Sequence, residues 1–484
     1  MNLIRRQFAY RHTSASSRTP WHGGTSRALR LLAIPQQVGC SGLPFAELGM
    51  GLVIVTTSHM LAVGDSYSFG RATVLMALCG MVIAYGFFRN PYAPFYCYAF
   101  VNPLFPAFGT NIALILGSFL LVLSRAEQLK WRWSYSNAGL AFCLWSIASL
   151  GWAEHVDCGW TGFLALVLGP MIMSFIIAGL HDKAFAKNLV FMILTACLIG
   201  SAATFWTWYS GKVTDFTGNG RVDSLIRPDI FAGWTVFGFL GALAWVLSGE
   251  ASAKLRWLLV PSAGVVVIGM GLSGFRSSIV VAGLGLFAVA VIQKRFCRGV
   301  LVVCLVVVIA IATNAVQPEL FRPVLARFMT MKEDRGSERL DVWESALAVF
   351  PEKPIVGTGW DGFLTASERY FRHQVASHSV YIGALVELGI VGFSLLLAWF
   401  AILLSKAWRA ENRLWIFPLL LAYEVQGLLL HEFNFPFFWI VIGLVEGANP
   451  APRRALHAVL GRKSANESPT RRWLQFHYRF PKKG

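Results

Sequence analysis

Residues 378–404 read HSVYIGALVELGIVGFSLLLAWFAILL, with one acidic side chain, Glu387, and no Lys or Arg in 27 positions. At 1.5 Å of rise per helical residue such a run crosses roughly 30 Å of hydrocarbon. Outward from it, apolar runs recur at 45–63, 71–88, 92–107, 109–123, 137–152, 160–180, 188–209, 230–248, 257–273, 277–293, 299–316, 414–430 and 433–447. The expected fold is therefore all-α, a polytopic integral membrane helix bundle of about 12 to 14 transmembrane helices. The run at 92–107 is the weakest, because Pro94, Pro103 and Pro106 interrupt it. Composition agrees: of 484 residues 56% are hydrophobic and 14% charged, where soluble domains carry about 25% charged residues. No long polar stretch remains for a separate soluble enzyme, so any chemistry belongs among the helices or in the one long loop.

The net charge of +17 is distributed along the chain as an orientation signal, which excludes nucleic acid as the implied partner. With both termini cytoplasmic, 29 of the 42 Lys and Arg fall inside, and eight of the other 13 lie in the single segment 317–377. Short outer loops are thus poor in positive charge, as the positive-inside rule requires, but only if 92–107 crosses the membrane. The expected organisation is a basic, disordered arm at 1–44, a transmembrane bundle at 45–316 and a long extracytoplasmic loop at 317–377 that is a candidate for the chemistry. C-terminal spans at 378–447 and a basic cytoplasmic tail at 448–484 complete it. Loops as long as 317–377 are usually functional. Within it Leu340, Trp343, Leu347 and Phe350 recur at helical spacing and predict a short helix over 338–350, ending at Pro351. The eight cysteines form no C-x-x-C pair, so neither a disulfide framework nor a metal site is expected.

Three residues at helix starts face the outer side. Arg276 follows the break Ser273-Gly274-Phe275, and Arg339 lies in the first turn of the loop helix. An arginine at the positive end of a helix is unfavourable unless an anion shares the site. A surface arginine that snorkels, or stacks on Trp343, is the competing reading. His378 opens its span where helix dipole and desolvation favour neutral imidazole, a form able to take a proton; an anchoring histidine is the alternative. Arg221 and Arg227, interleaved with acids before the run at 230–248, could extend an anion-binding rim. Glu387, Glu424 and Glu446 lie inside apolar runs, where each needs a partner or a proton.

The ordered set of motifs resembles the O-antigen ligase and polymerase superfamily of bacterial envelope glycosyltransferases. It consists of Gly271-Leu272-Ser273-Gly274-Phe275-Arg276, then Arg339-Leu340-Asp341-Val342-Trp343 with Pro354-Ile355-Val356-Gly357-Thr358-Gly359. His378-Ser379-Val380-Tyr381 and Glu387-Leu388-Gly389-Ile390-Val391-Gly392 follow. The family often has Asn after the His and Pro-Asn before the eighth span, where this chain has Ser379 and Pro228-Asp229. The resemblance implies transfer of a glycan from undecaprenyl diphosphate to an acceptor hydroxyl, on a glycan or lipid A core, at the outer face of a bacterial cytoplasmic membrane. It implies inversion without a metal or cofactor, with His378, Arg276 and Arg339 catalytic and with Arg221, Arg227, Trp343, Gly357 and Gly359 binding substrate. Partners would be the lipid-linked donor, the acceptor and membrane lipids. A repeat-unit polymerase is the alternative within the family. A transporter or flippase, the alternative outside it, would show two related halves with charges near the midplane, and the sequence shows no such halves.

Overall fold

The computed structural model describes residues 44–62, 69–105, 108–125, 133–153, 167–180, 183–210, 225–248, 251–293, 339–430 and 435–448. All of these lie in one unit, 40–484. The arm, the tail, Arg221 and the part of the long loop before 339 lie outside the described residues. Among the described residues there are 17 α-helices and no strand. They are α1 Phe45–Ala62, α2 Phe69–Phe88, α3 Ala93–Val101, α4 Phe108–Arg125, α5 Asn137–Ser149, α6 Gly169–Leu180, α7 Lys183–Tyr209, α8 Pro228–Leu247, α9 Ala253–Leu272 and α10 Arg276–Ile292. After them come α11 Arg339–Val349, α12 Gly362–Ala366, α13 Glu368–Phe371, α14 Val380–Glu387, α15 Gly389–Arg409, α16 Arg413–Gln426 and α17 Pro436–Glu446.

Local chemistry sets several of these starts. Ser136 and Ser252 turn their hydroxyls back onto the amides of Gly139 and Leu255 to cap α5 and α9, satisfying donors that have no helical acceptor. Pro228 and Pro436 open α8 and α17, where a missing N–H costs nothing. Among the described residues four stretches, Ala184–Tyr209, Ile230–Leu247, Ala253–Leu272 and Gly389–Arg409, are long and apolar enough to cross a membrane. The protein is a helical integral membrane protein, although the described helices do not reach the 12 to 14 spans expected.

Two expectations differ from the structure. The run at 92–107 forms only the nine-residue α3, about 13.5 Å long at 1.5 Å per residue, too short to cross alone. Each of its residues is buried, and it packs on α1, α4 and α7. Asn102 ends it by bonding the Tyr98 carbonyl at 3.0 Å and exchanging two side-chain bonds, of 2.9 and 3.1 Å, with Asn111 of α4. Its apolarity reflects surrounding protein rather than lipid. The run at 378–404, in turn, is two helices broken at Leu388.

α8 stands at the centre, packed against α7, α9, α10 and α16, with Phe231, Trp234 and Phe237 fully buried. A second tie joins α5, α15 and α17. The buried Glu446 carboxylate accepts the Ser136 N–H at 3.1 Å, the Ser136 hydroxyl at 2.6 Å and the Trp399 indole N–H at 2.9 Å, and pairs with Lys406. Lys406 also donates to the Ser134 carbonyl at 2.9 Å. A buried carboxylate is tolerated because every oxygen is met by donors.

Candidate functional site

Arg276 is the first residue of α10, and His378 precedes the Ser379 cap of α14. A series of contacts joins these starts. The Trp343 indole N–H, one turn after Arg339 on α11, donates to the Ser377 carbonyl at 3.1 Å and so fixes the peptide preceding His378. On the other side of His378, the Val380 amide donates to the Gly427 carbonyl at 2.8 Å, and the Tyr381 hydroxyl donates to the Glu424 carbonyl at 3.0 Å. Both acceptors lie at the end of α16. That end bonds α8 through the Tyr423 hydroxyl and the Gly233 carbonyl at 2.8 Å, and α16 packs along α10. Phe275, immediately before Arg276, is buried with Ala232 and Leu430. The starts of α8, α10 and α14 and the end of α16 thus form one junction, with α11 docked at its edge.

The side chains of Arg276, Arg339 and His378 are all half-buried. His378 has φ 50°, the left-handed region that few non-glycine residues occupy, and such strain clusters at functional positions. Arg227 is exposed at the cap position of α8, hence at the same end as Arg276. Trp343 is half-buried and serves the junction through its bond to Ser377.

Gly357 and Gly359 are buried, and backbone closeness explains them. The segment 354–359 lies against the α14–α15 break: the Thr358 amide donates to the Val386 carbonyl at 3.0 Å and Gly359 to Glu387 at 2.8 Å, while Ile390 donates back to Pro354 at 2.9 Å. Gly357 has φ 76° and Gly389 φ 66°. A Cβ on Gly357 would strike the Glu387 carbonyl, and one on Gly389 the Ile355 carbonyl. The Gly359 backbone abuts Ala153, and the Trp360 amide donates to the Ser149 hydroxyl at 3.1 Å. Two of the sequence motifs are therefore the two halves of a single seam. Beside it Asp361, at φ 58°, donates its amide to a Glu387 carboxylate oxygen at 3.2 Å. Burial raises the pKa of the Asp361 carboxyl above its ordinary value.

The sequence reading passed over Asp361, and also Ser277, Ser278 and Gln426. The last three are buried at the ends of α10 and α16. Single Ser and Gln residues in apolar runs carry no spacing signal; Ser277 and Ser278 adjoin Arg276 in the chain, whereas Gln426 shares that region only through the packing of α16 on α8 and α10.

Comparison with known proteins agrees with the motifs. Residues 262–397 match the family described as O-antigen ligase, a span containing Arg276, Arg339, Trp343, Gly357, Gly359 and His378. An uncharacterized protein of Haemophilus influenzae is 28% identical over 186 residues, covering 33% of this chain and 40% of that protein. The chain thus spans about two fifths of the length of that relative. The segment that carries Arg276, Arg339 and His378 is thus similar to the O-antigen ligase family, which supports the O-antigen ligase and polymerase superfamily.

Proposed function

We propose that the protein transfers a glycan from undecaprenyl diphosphate to an acceptor hydroxyl at the outer face of the bacterial cytoplasmic membrane. The observation that carries this reading is the junction itself, where two helix-start arginines and a histidine in strained backbone are tied through Ser377 and Gly427. Arg276 and Arg339 would hold the diphosphate, whose negative charge grows as the anomeric C–O bond breaks. Planar guanidinium forks meet such oxygens two at a time. The acceptor oxygen attacks the anomeric carbon from the opposite face, its proton passes to neutral His378, and the diphosphate leaves with the bonding pair on its oxygen, inverting the centre. Arg227 stands at the same end as a further cation for the carrier. No metal or cofactor is needed for this balance.

Deletion tests the reading and separates its two forms. Loss of a ligase leaves polymerised glycan on its carrier, whereas loss of a repeat-unit polymerase leaves single units transferred or stalled. A glycolipid gel unchanged by deletion would overturn both.

A further inference from the structure

Gln426 is the last residue of α16 and is wholly buried, yet among the described residues neither its amide nitrogen nor its amide oxygen has a hydrogen-bond partner. Ser277 and Ser278, directly after Arg276, are also buried, and their hydroxyls have no partner among the described residues. Mid-helix serines commonly bond the carbonyl four residues back, but in the first turn no helical carbonyl stands there. Two of these groups, Gln426 and Ser278, face α8, and Ser277 adjoins Ser278 in the chain. Gln426 lies one helical turn after Tyr423, whose hydroxyl bonds the Gly233 carbonyl of α8, so it shares the α8 side of its helix. Ser278 lies two turns before Gly285, whose backbone abuts Leu240 of α8. Both therefore line the α8–α10–α16 seam at the Arg276 end. Buried groups left without partners destabilise a fold, and most native ones have an explanation.

The type of ligand follows from the donor and acceptor pattern. An amide offers two donors and an acceptor, and each hydroxyl both gives and takes a hydrogen bond. Diphosphate oxygens accept only, and would leave the amide oxygen unmet. A pyranose hydroxyl or acetamido group offers both. In a glycosyl diphosphate the sugar is joined directly to the phosphate, so a diphosphate on Arg276 sets its first sugar against the neighbouring residues. We propose that Gln426, with Ser277 and Ser278, recognises polar substituents of the carrier-linked sugar of the donor; this rests on the donor reading above. Because the groups are closed to solvent, the sugar enters by displacing the side chains that cover them.

The test uses the full-length protein in lipid nanodiscs with two probes, undecaprenyl diphosphate and undecaprenyl diphosphate bearing one N-acetylhexosamine. Wild type is expected to prefer the glycosylated carrier. Gln426→Met, close in volume but without the amide, should weaken that carrier by about tenfold, the loss of one or two polar contacts, with bare carrier held within about twofold. A double Ser277→Ala, Ser278→Ala variant should act in the same direction. The melting temperature of Gln426→Met without carrier should stay level or rise, since a purely structural glutamine would instead lower it. Equal loss for both carriers, or loss for neither, overturns the proposal. A wild type that binds both carriers equally also overturns it while leaving the diphosphate site standing. Binding of neither carrier removes the donor reading and this inference with it.

Discussion

His378→Asn keeps a residue type that tolerates the left-handed backbone at φ 50° but removes the proposed base. Transfer should fall at least about 10²-fold, the usual share of a placed proton acceptor, with membrane insertion intact by protease protection. His378→Ala should lose as much, so agreement of the two variants separates chemistry from strain. The wild-type rate, measured where chemistry limits it, should fall as acidification protonates the imidazole; a flat profile from about pH 5 to 8 would make His378 a positioning residue. Arg276→Lys and Arg339→Lys should each be strongly impaired, since lysine keeps the charge without the fork. Asp361 titrates in the opposite sense to a stabilising acid. Its pKa is raised by burial, so its contribution is fully present below the unfolded value of about 3.9 and lost as pH rises through the folded one. Asp361→Asn, compatible with the same backbone, is expected to raise the melting temperature at pH 7, and the gain should vanish in acid. An equal gain at all pH values would point to a cause other than ionisation.

At the scale of elements, the sequence legible as Gly-x-Gly and as Glu-Leu-Gly proved to be one contact seen from its two sides. Gly357→Ala and Gly389→Ala should each destabilise by more than the 1–3 kcal/mol or so typical of overpacking, because the added carbon meets backbone and φ is positive as well. Thermal unfolding in detergent reads the effect; a neutral Gly357→Ala would mean that the seam opens without cost. The loop helix was legible in the spacing of Leu340, Trp343 and Leu347, although the buried face is formed by Val342, Ala346 and Val349. Leu340 and Leu347 are exposed. The run at 92–107 forms a helix shorter than its hydropathy predicts, for a physical reason. Hydropathy counts apolar side chains but cannot tell lipid from protein as their surroundings, and Phe95, Tyr96 and Phe100 of α3 are buried by neighbouring helices. Gln426 had no signal at all, since its interest arises only when three helices meet.

Across the whole molecule, the distribution of 42 basic residues still sets a testable orientation. Reporter fusions near residues 330 and 470 should give opposite signals, with the tail cytoplasmic. Matching signals would refute the parity that required 92–107 to cross, and the shortness of α3 makes this the measurement on which that topology stands. The seam between 354–359 and the α14–α15 break has one more consequence. Its amides at Thr358, Gly359 and Ile390 belong to segments well separated in the chain, yet each is protected only while the other segment stays in place. They should exchange with deuterium at a common rate, as one cooperative unit, and carrier that pins the outer loop should slow exchange in the membrane helix by the same factor.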